Sequence, residues 1–389
     1  NDVSSEQYLR MAEKAGGDTF IRESIHLFRI YLDAKSKPVN ESYEQQMYAN
    51  LCWLEQRLVR DLPQCQQDGQ ESPRVLYKEH FIIANYSTYY WNDMLRRIGL
   101  SIYAPRLMET GHTMRALEVI NYAENCFFCV TENPYMQDNH FGYLFQTLDT
   151  HSAEFTLQYI NHLQQRGDSL SCFLAHHSYI DFDWLYNIAG TLSMRESRFA
   201  EASTILAHLP QTYTGDSIHT DPFVIDYRGR MAPSSYATRR ALAAELIRLE
   251  KQMKTVPDIN DRADAQMRYA IALRNMFTIT WEAVAFGVGF PYYMDSYTPN
   301  THKKYIRPAL QRSDALLSQA LQMYTDSERA AKAELALLNF RTVITKYPHT
   351  AVADSVRSAC ENYHDFGLQS SKTTRYITLW NKKIFYDNE

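Results

Sequence analysis

LYNIAGTLSMRESRFAEASTIL, residues 185–206, sets Gly190 and Ala202 twelve residues apart, with Phe199 between them and Leu209 seven beyond Ala202. Two short antiparallel helices need that spacing. A small residue on each lets the backbones approach, and an aromatic fills the groove beside them. The pattern recurs: from Ala104, Gly111 falls in a turn, Ala116 lies twelve residues along and Ala123 seven beyond that. Near the C-terminus Ala336 is followed by Phe340, Val343 and Tyr347-Pro348, where the proline ends a second helix.

Outward from these segments the periodicity stays helical. Ser42-Tyr-Glu-Gln45 has capping-box spacing and opens a run with Met47, Leu51, Leu54 and Leu58 on one face. Leu242, Leu246, Leu249 and Met253 form another stripe, with Arg240 and Lys251 on the opposite face. Asn260 or Asp261 caps a long helix running through Ala265, Tyr269, Ala272 and Met276 to a stop at Gly287. Strand-like alternation is confined to Phe223–Ile225 and Tyr376–Leu379. Glycine and proline number only 13 each, too few for the tight turns of a sheet-rich fold. The expected fold is therefore all-α.

The 389 residues suffice for two domains or for one extended helical array, and 45% hydrophobic with 22% charged residues is a globular balance. A net charge of −5, with both signs spread along the chain, offers no basic footprint for nucleic acid and no polybasic membrane patch. No run of 18 apolar residues exists, so no transmembrane segment is expected. Six cysteines (Cys52, Cys65, Cys126, Cys129, Cys172 and Cys360) are too few for a disulfide framework and read as ordinary buried thiols. Cys126 and Cys129 have redox spacing but lack its strand-to-helix context. The start at Asn1 rather than Met points to a removed leader or a fragment. The first option implies export to the periplasm or outer membrane.

Two long connections interrupt the helices. Pro210–Ser235 holds Gly215, Pro222, Gly229 and Pro233, and it divides the chain into a helical half at 1–210, a connection at 211–236 and a second half at 237–389, unless one superhelix runs through. The other connection, Gly287–Pro308, carries Phe290, Tyr292, Tyr293, Asp295, Tyr297, His302 and Tyr305. Rings with polar neighbours suit sugars or peptide side chains; alternatively they pin the loop to its scaffold. Trp91, with Tyr86, Tyr89, Tyr90 and Asp93, is either a core stripe or a patch on a concave face. The candidate ligand residues are thus Tyr292, Tyr293, Tyr297, Asp295 and Trp91.

In "HHSYIDFD", His177 and Asp181 would share a helix face as ligand pairs do, yet Asp181 or Asp183 also suits the cap of the helix that follows. No nucleophile elbow, His-Glu-x-x-His helix, phosphate loop or evident carboxylate pair is present. Neither a catalytic residue nor a metal or cofactor is expected.

The three spaced segments resemble tetratricopeptide repeats, Leu185–Leu206 best and Ala336–Val356 as the end of one repeat and the start of the next. Tyr324 departs from the pattern where a small residue is usual, as does Ser193 where an aromatic is usual. Ala116 and Ala202 are 86 residues apart, no multiple of the family's roughly 34-residue period, so a regular uninterrupted array is excluded. The resemblance implies an irregular α/α superhelix of helix pairs with two loop insertions, whose groove binds a protein or peptide partner. Arg262–Tyr293 is similar, loosely, to the long helix and Tyr/Gly loop of SusD-class glycan-binding surface lipoproteins, and to exported helical proteins of Gram-negative gut bacteria. That likeness implies a glycan ligand. An all-α carbohydrate-active enzyme is the third alternative.

Overall fold

The structure, a computed structural model, describes residues 2–60, 91, 94–124, 143–165, 167–176, 178, 181–225, 236–277, 280–284, 304–305, 307–326, 329–330, 333–334 and 336–337. Among the described residues there are thirteen α-helices and no strand; the chain is all-α. Phe223–Ile225 is not a strand, and the one sheet-like feature described is an isolated bridge between Ser217 and Thr238. The chain gathers into two compact units, Asn1–Phe182 and Asp183–Glu389.

In the first unit α1 (Asp2–Ala15) and α2 (Thr19–Ser36) form a hairpin, with the Asp18 carboxylate accepting from the Ile21 N–H at the head of α2. α3 (Glu41–Arg60) starts one residue before the expected capping box, and its cap is Asn40, whose Oδ1 accepts from the Tyr43 N–H at 2.9 Å. Met47, Leu51 and Leu54 are buried along it, the face its periodicity predicts. A π-helical turn, Gly99–Tyr103, leads into α4 (Ala104–Glu109); α5 (Thr113–Glu124), α6 (Tyr143–Asp149), α7 (Ala153–Gln164) and α8 (Ser169–His176) follow. Gly111 turns the chain between α4 and α5 at φ +83°, where a side chain would be strained. Ala104, Ala116 and Ala123 are all buried, as their spacing requires. A Cβ added to Gly99 would stand 2.6 Å from that of Ala123, so the π turn and α5 approach as closely as glycine allows.

The second unit contains α9 (Phe182–Arg195), α10 (Phe199–Leu206), α11 (Arg239–Thr255), α12 (Ile259–Met276) and α13 (Arg307–Met323). Met194, Phe199, Ala202, Leu242, Leu246, Tyr269, Leu273 and Leu317 share its core. Between α9 and α10, Ser197 takes the left-handed conformation, φ 59°, a position that carries no glycine here. α12 is capped by Asp258, not by Asn260 or Asp261, and it ends at Met276 rather than near Gly287. Asn275 accounts for the early stop: its carbonyl accepts from the Thr280 N–H, and Trp281–Ala283 is already a 3₁₀ turn. Tyr376–Leu379 and Gly287 lie outside the described residues.

The decisive spacing is realised as close packing. A Cβ on Gly190 would come within 2.4 Å of Leu206 Cδ2, and Leu206 is fully buried and cannot swing aside. Gly190→Val should therefore cost about 1–3 kcal/mol by overpacking. Urea denaturation checks this, and an unchanged midpoint would show that α9 and α10 separate freely.

Candidate functional site

The interior of the first unit encloses charged groups. Arg115 on α5 donates to Glu118 Oε2 (2.7 Å), to Ser171 Oγ on α8 (2.5 Å) and to Asp168 Oδ2 (2.6 Å). Ser171 Oγ also donates to Glu118 Oε2, and His162 Nε2 of α7 lies 3.2 Å from the same oxygen. Burial disfavours charge on Arg115, but Glu118, Asp168 and Glu44 outweigh it and raise the guanidinium above its ordinary value. Burial also pushes the Tyr43 and Tyr103 hydroxyls far up, with their rings 5.9 Å apart. Tyr103 is delivered there by the π turn, a kind of irregularity that recurs at functional sites. The charged groups face one another and hold α3, α5, α7 and α8 together. They make a frame.

A second polar set fixes the connection that begins at Pro210, within the second unit. Arg239, fully enclosed, donates to Asn187 Oδ1 and to the Gly215 carbonyl, both at 2.9 Å. Burial pushes its guanidinium down to about 10, with the charge of Asp216 acting most strongly the other way. Arg240 Nε donates to Asp216 Oδ2 at 2.9 Å, and Asn275 Nδ2 donates to the carbonyls of Pro222 and Val224.

What faces outward is different. Seven large apolar side chains are exposed among the described residues, and five of them sit on the α1–α2 hairpin, which marks it as the uncovered face. Tyr8 (70%) and Met11 (59%) lie three apart on α1, and Ile21 (46%) and Phe28 (49%) lie seven apart on α2, so each pair shares a helix face. Ile25 and Leu32, half-buried, complete an i, i+4, i+7, i+11 stripe on α2. Beside it opens a groove of about 830 Å³ lined by Gln7, Arg10, Arg29, Leu32, Lys35 and Lys37, with Glu6 and Asp33 as its carboxylates. Its charges are paired: Arg10 and Arg29 with Glu6, Arg29 also with Glu13, and Lys37 with Asp33.

Of the residues expected from sequence to bind a ligand, Trp91 is fully buried. It meets Phe20 and Trp53 edge-on (centroids 6.3 and 5.9 Å), with the Arg57 guanidinium 4.5 Å from its ring centre. Tyr292, Tyr293, Asp295 and Tyr297 lie outside the described residues, as do Tyr86, Tyr89, Tyr90, Asp93, His177 and His302. Tyr305 packs against the second unit's core, with Arg195 5.9 Å and Lys304 4.7 Å from its ring. Asp181 directly precedes α9, the position of a cap. Among the described residues no three of His, Cys, Asp and Glu gather as metal ligands, and no helix is long and apolar enough to cross a membrane. Two of the six cysteines read as buried need correction, since Cys172 is exposed and Cys52 only half-buried; Cys65, Cys126, Cys129 and Cys360 lie outside the described residues.

Fold and site together define a class, an all-α protein of helix hairpins with a charged interior and an uncovered apolar face. Comparison with family models, curated proteins and solved structures finds no match to the chain.

Proposed function

We propose that the chain is a non-catalytic binding scaffold of tetratricopeptide type, whose α1–α2 hairpin receives an amphipathic helix of a partner protein. The single observation that carries this reading is the concentration of exposed apolar side chains on that hairpin. Helix-in-groove recognition reads anchors at i, i+3, i+4 and i+7, the spacing that Ile21, Ile25 and Phe28 present. The tetratricopeptide assignment is supported by Gly190 against Leu206 and by the buried Ala104, Ala116 and Ala123.

Fluorescence anisotropy against amphipathic helical peptides tests the proposal. Such peptides should bind, and Ile21→Asp with Phe28→Asp should weaken them by about tenfold or more, since losing a central apolar anchor costs over about 1 kcal/mol. Both side chains are roughly half exposed, so the variant retains its fold. Equal binding by the double variant would remove the hairpin as the site.

A further inference from the structure

α1 is sparsely covered. Among its described side chains only Leu9 is buried. The rest of its hold on α2 is ionic, with the Arg29 guanidinium 2.5 Å from Glu6 and 3.0 Å from Glu13. A helix of this length is marginal in water by itself, so α1 depends on what packs against it. Tyr8 and Met11 stay exposed on α1, as Ile21 and Phe28 do on α2.

Area and charge together decide what covers these side chains. With the partly exposed Ile25 and Leu32, the four present about 500 Å² of apolar surface per copy. Two copies in contact therefore remove about 1,000 Å² from water, the lower limit of a specific interface. Residues 2–37 carry six carboxylates and six cations, a net charge of zero. Arg10 and Arg29 are paired with Glu6, Arg29 also with Glu13, and Lys37 with Asp33, all within one copy. A two-fold contact sets identical surfaces face to face, where a net charge would repel itself. The hairpin has none, and so it gives an acidic or a basic partner no advantage over its own copy.

We infer that the partner helix comes from a second copy of this chain, in a two-fold dimer where α1 of each copy covers the Ile21, Ile25 and Phe28 stripe of the other. The inference rests on the hairpin reading above and names its partner. The same contact is made twice, and each copy supplies both the receiving stripe and the helix received.

Sedimentation equilibrium of the full chain, with its thiols kept reduced, tests this. A reversible monomer–dimer equilibrium is expected in the micromolar range. It should be insensitive to sodium chloride between about 0.05 and 0.5 M, since the buried surface is apolar. Ile21→Asp with Phe28→Asp should weaken the dimer by about tenfold or more, with an unchanged circular dichroism spectrum. Tyr8→Gln with Met11→Gln should weaken it comparably, and both of these side chains are more than half exposed, so nothing buried is removed. A dimer that neither double variant weakens, or one that salt dissociates, overturns the inference. A chain that stays monomeric yet binds the amphipathic peptides overturns the second copy and leaves the hairpin reading intact. A chain that does neither removes both.

Discussion

Arg115→Met is expected to destabilise the first unit by about 3–5 kcal/mol, because it strands Glu118 as an uncompensated buried carboxylate. Only 2% of the Glu118 side chain is exposed, and Arg115 is its cationic partner at 2.7 Å. Ser171 and His162 approach the same Oε2 and do not replace that charge when His162 is neutral. The Arg115→Met/Glu118→Leu double variant should recover a large part of the loss, since an apolar pair of similar volume avoids the desolvation of both ions. Hydrogen exchange of the α5 and α8 amides reports this locally, which matters in a chain of two units where one global transition is not assured. If the single and double variants lose protection equally, charge pairing is not what holds these helices.

Acid titration gives an independent reading of the same frame. Burial would raise the Asp168 carboxyl, but the Ser171 N–H and the Arg115 guanidinium outweigh it and hold it below the ordinary value. A carboxyl depressed in the folded state contributes stability that is complete above its unfolded pKa, about 3.9, and disappears as pH falls through the lower folded value. Wild type should therefore lose stability below about pH 4, and Arg115→Met should show a shallower loss there.

Which parts of this were legible in the sequence follows from the physics of each. Gly190 and Ala202 announced themselves because close helix packing demands small residues at fixed spacing, and Gly190 does lie against Leu206. Caps were less legible. Asn40 and Ser42 both qualify by residue type, and only the backbone decides that Asn40 accepts the Tyr43 N–H. The apolar face of the hairpin was invisible for a related reason. Ile21, Ile25 and Phe28 have the periodicity of a core stripe, while Leu27, Ile30 and Ala34 on the same helix form the one that is buried. Periodicity counts stripes and cannot say which is covered. Arg115, Glu118, Asp216 and Arg239 look like solvated charges in sequence, where no pattern marks burial.

The same blindness to buried charge makes Asp216 the most consequential residue of the second unit. Asp216 is wholly buried beside two arginines: it pairs with Arg240, and its backbone carbonyl accepts from the Arg239 N–H at 2.8 Å. Asp216→Ala leaves Arg240 without its carboxylate partner and removes the strongest anionic pull on the enclosed Arg239 guanidinium, at an expected cost of about 3–5 kcal/mol. The loss should be directional. Residues 210–225 are fastened elsewhere by Glu282, which accepts from the His219 and Thr220 N–H groups, and by Asn275. Release at Asp216 should therefore open the segment nearest Gly215 first, seen as early protease cleavage between Leu209 and Ser217. Asp216→Asn, which keeps a hydrogen-bond acceptor for Arg240 but no charge, separates the two contributions. A cost well below that of the alanine variant would mean that the acceptor matters most. Equal costs would assign the effect to charge, as the pull of Asp216 on the buried Arg239 requires. Asn275→Ala removes two buried contacts to the Pro222 and Val224 carbonyls without changing charge, so about 1–3 kcal/mol is expected. Its cleavage should fall near Val224 instead. If both variants are cut at the same bond, the segment opens as one piece and Asp216 is not a separate latch.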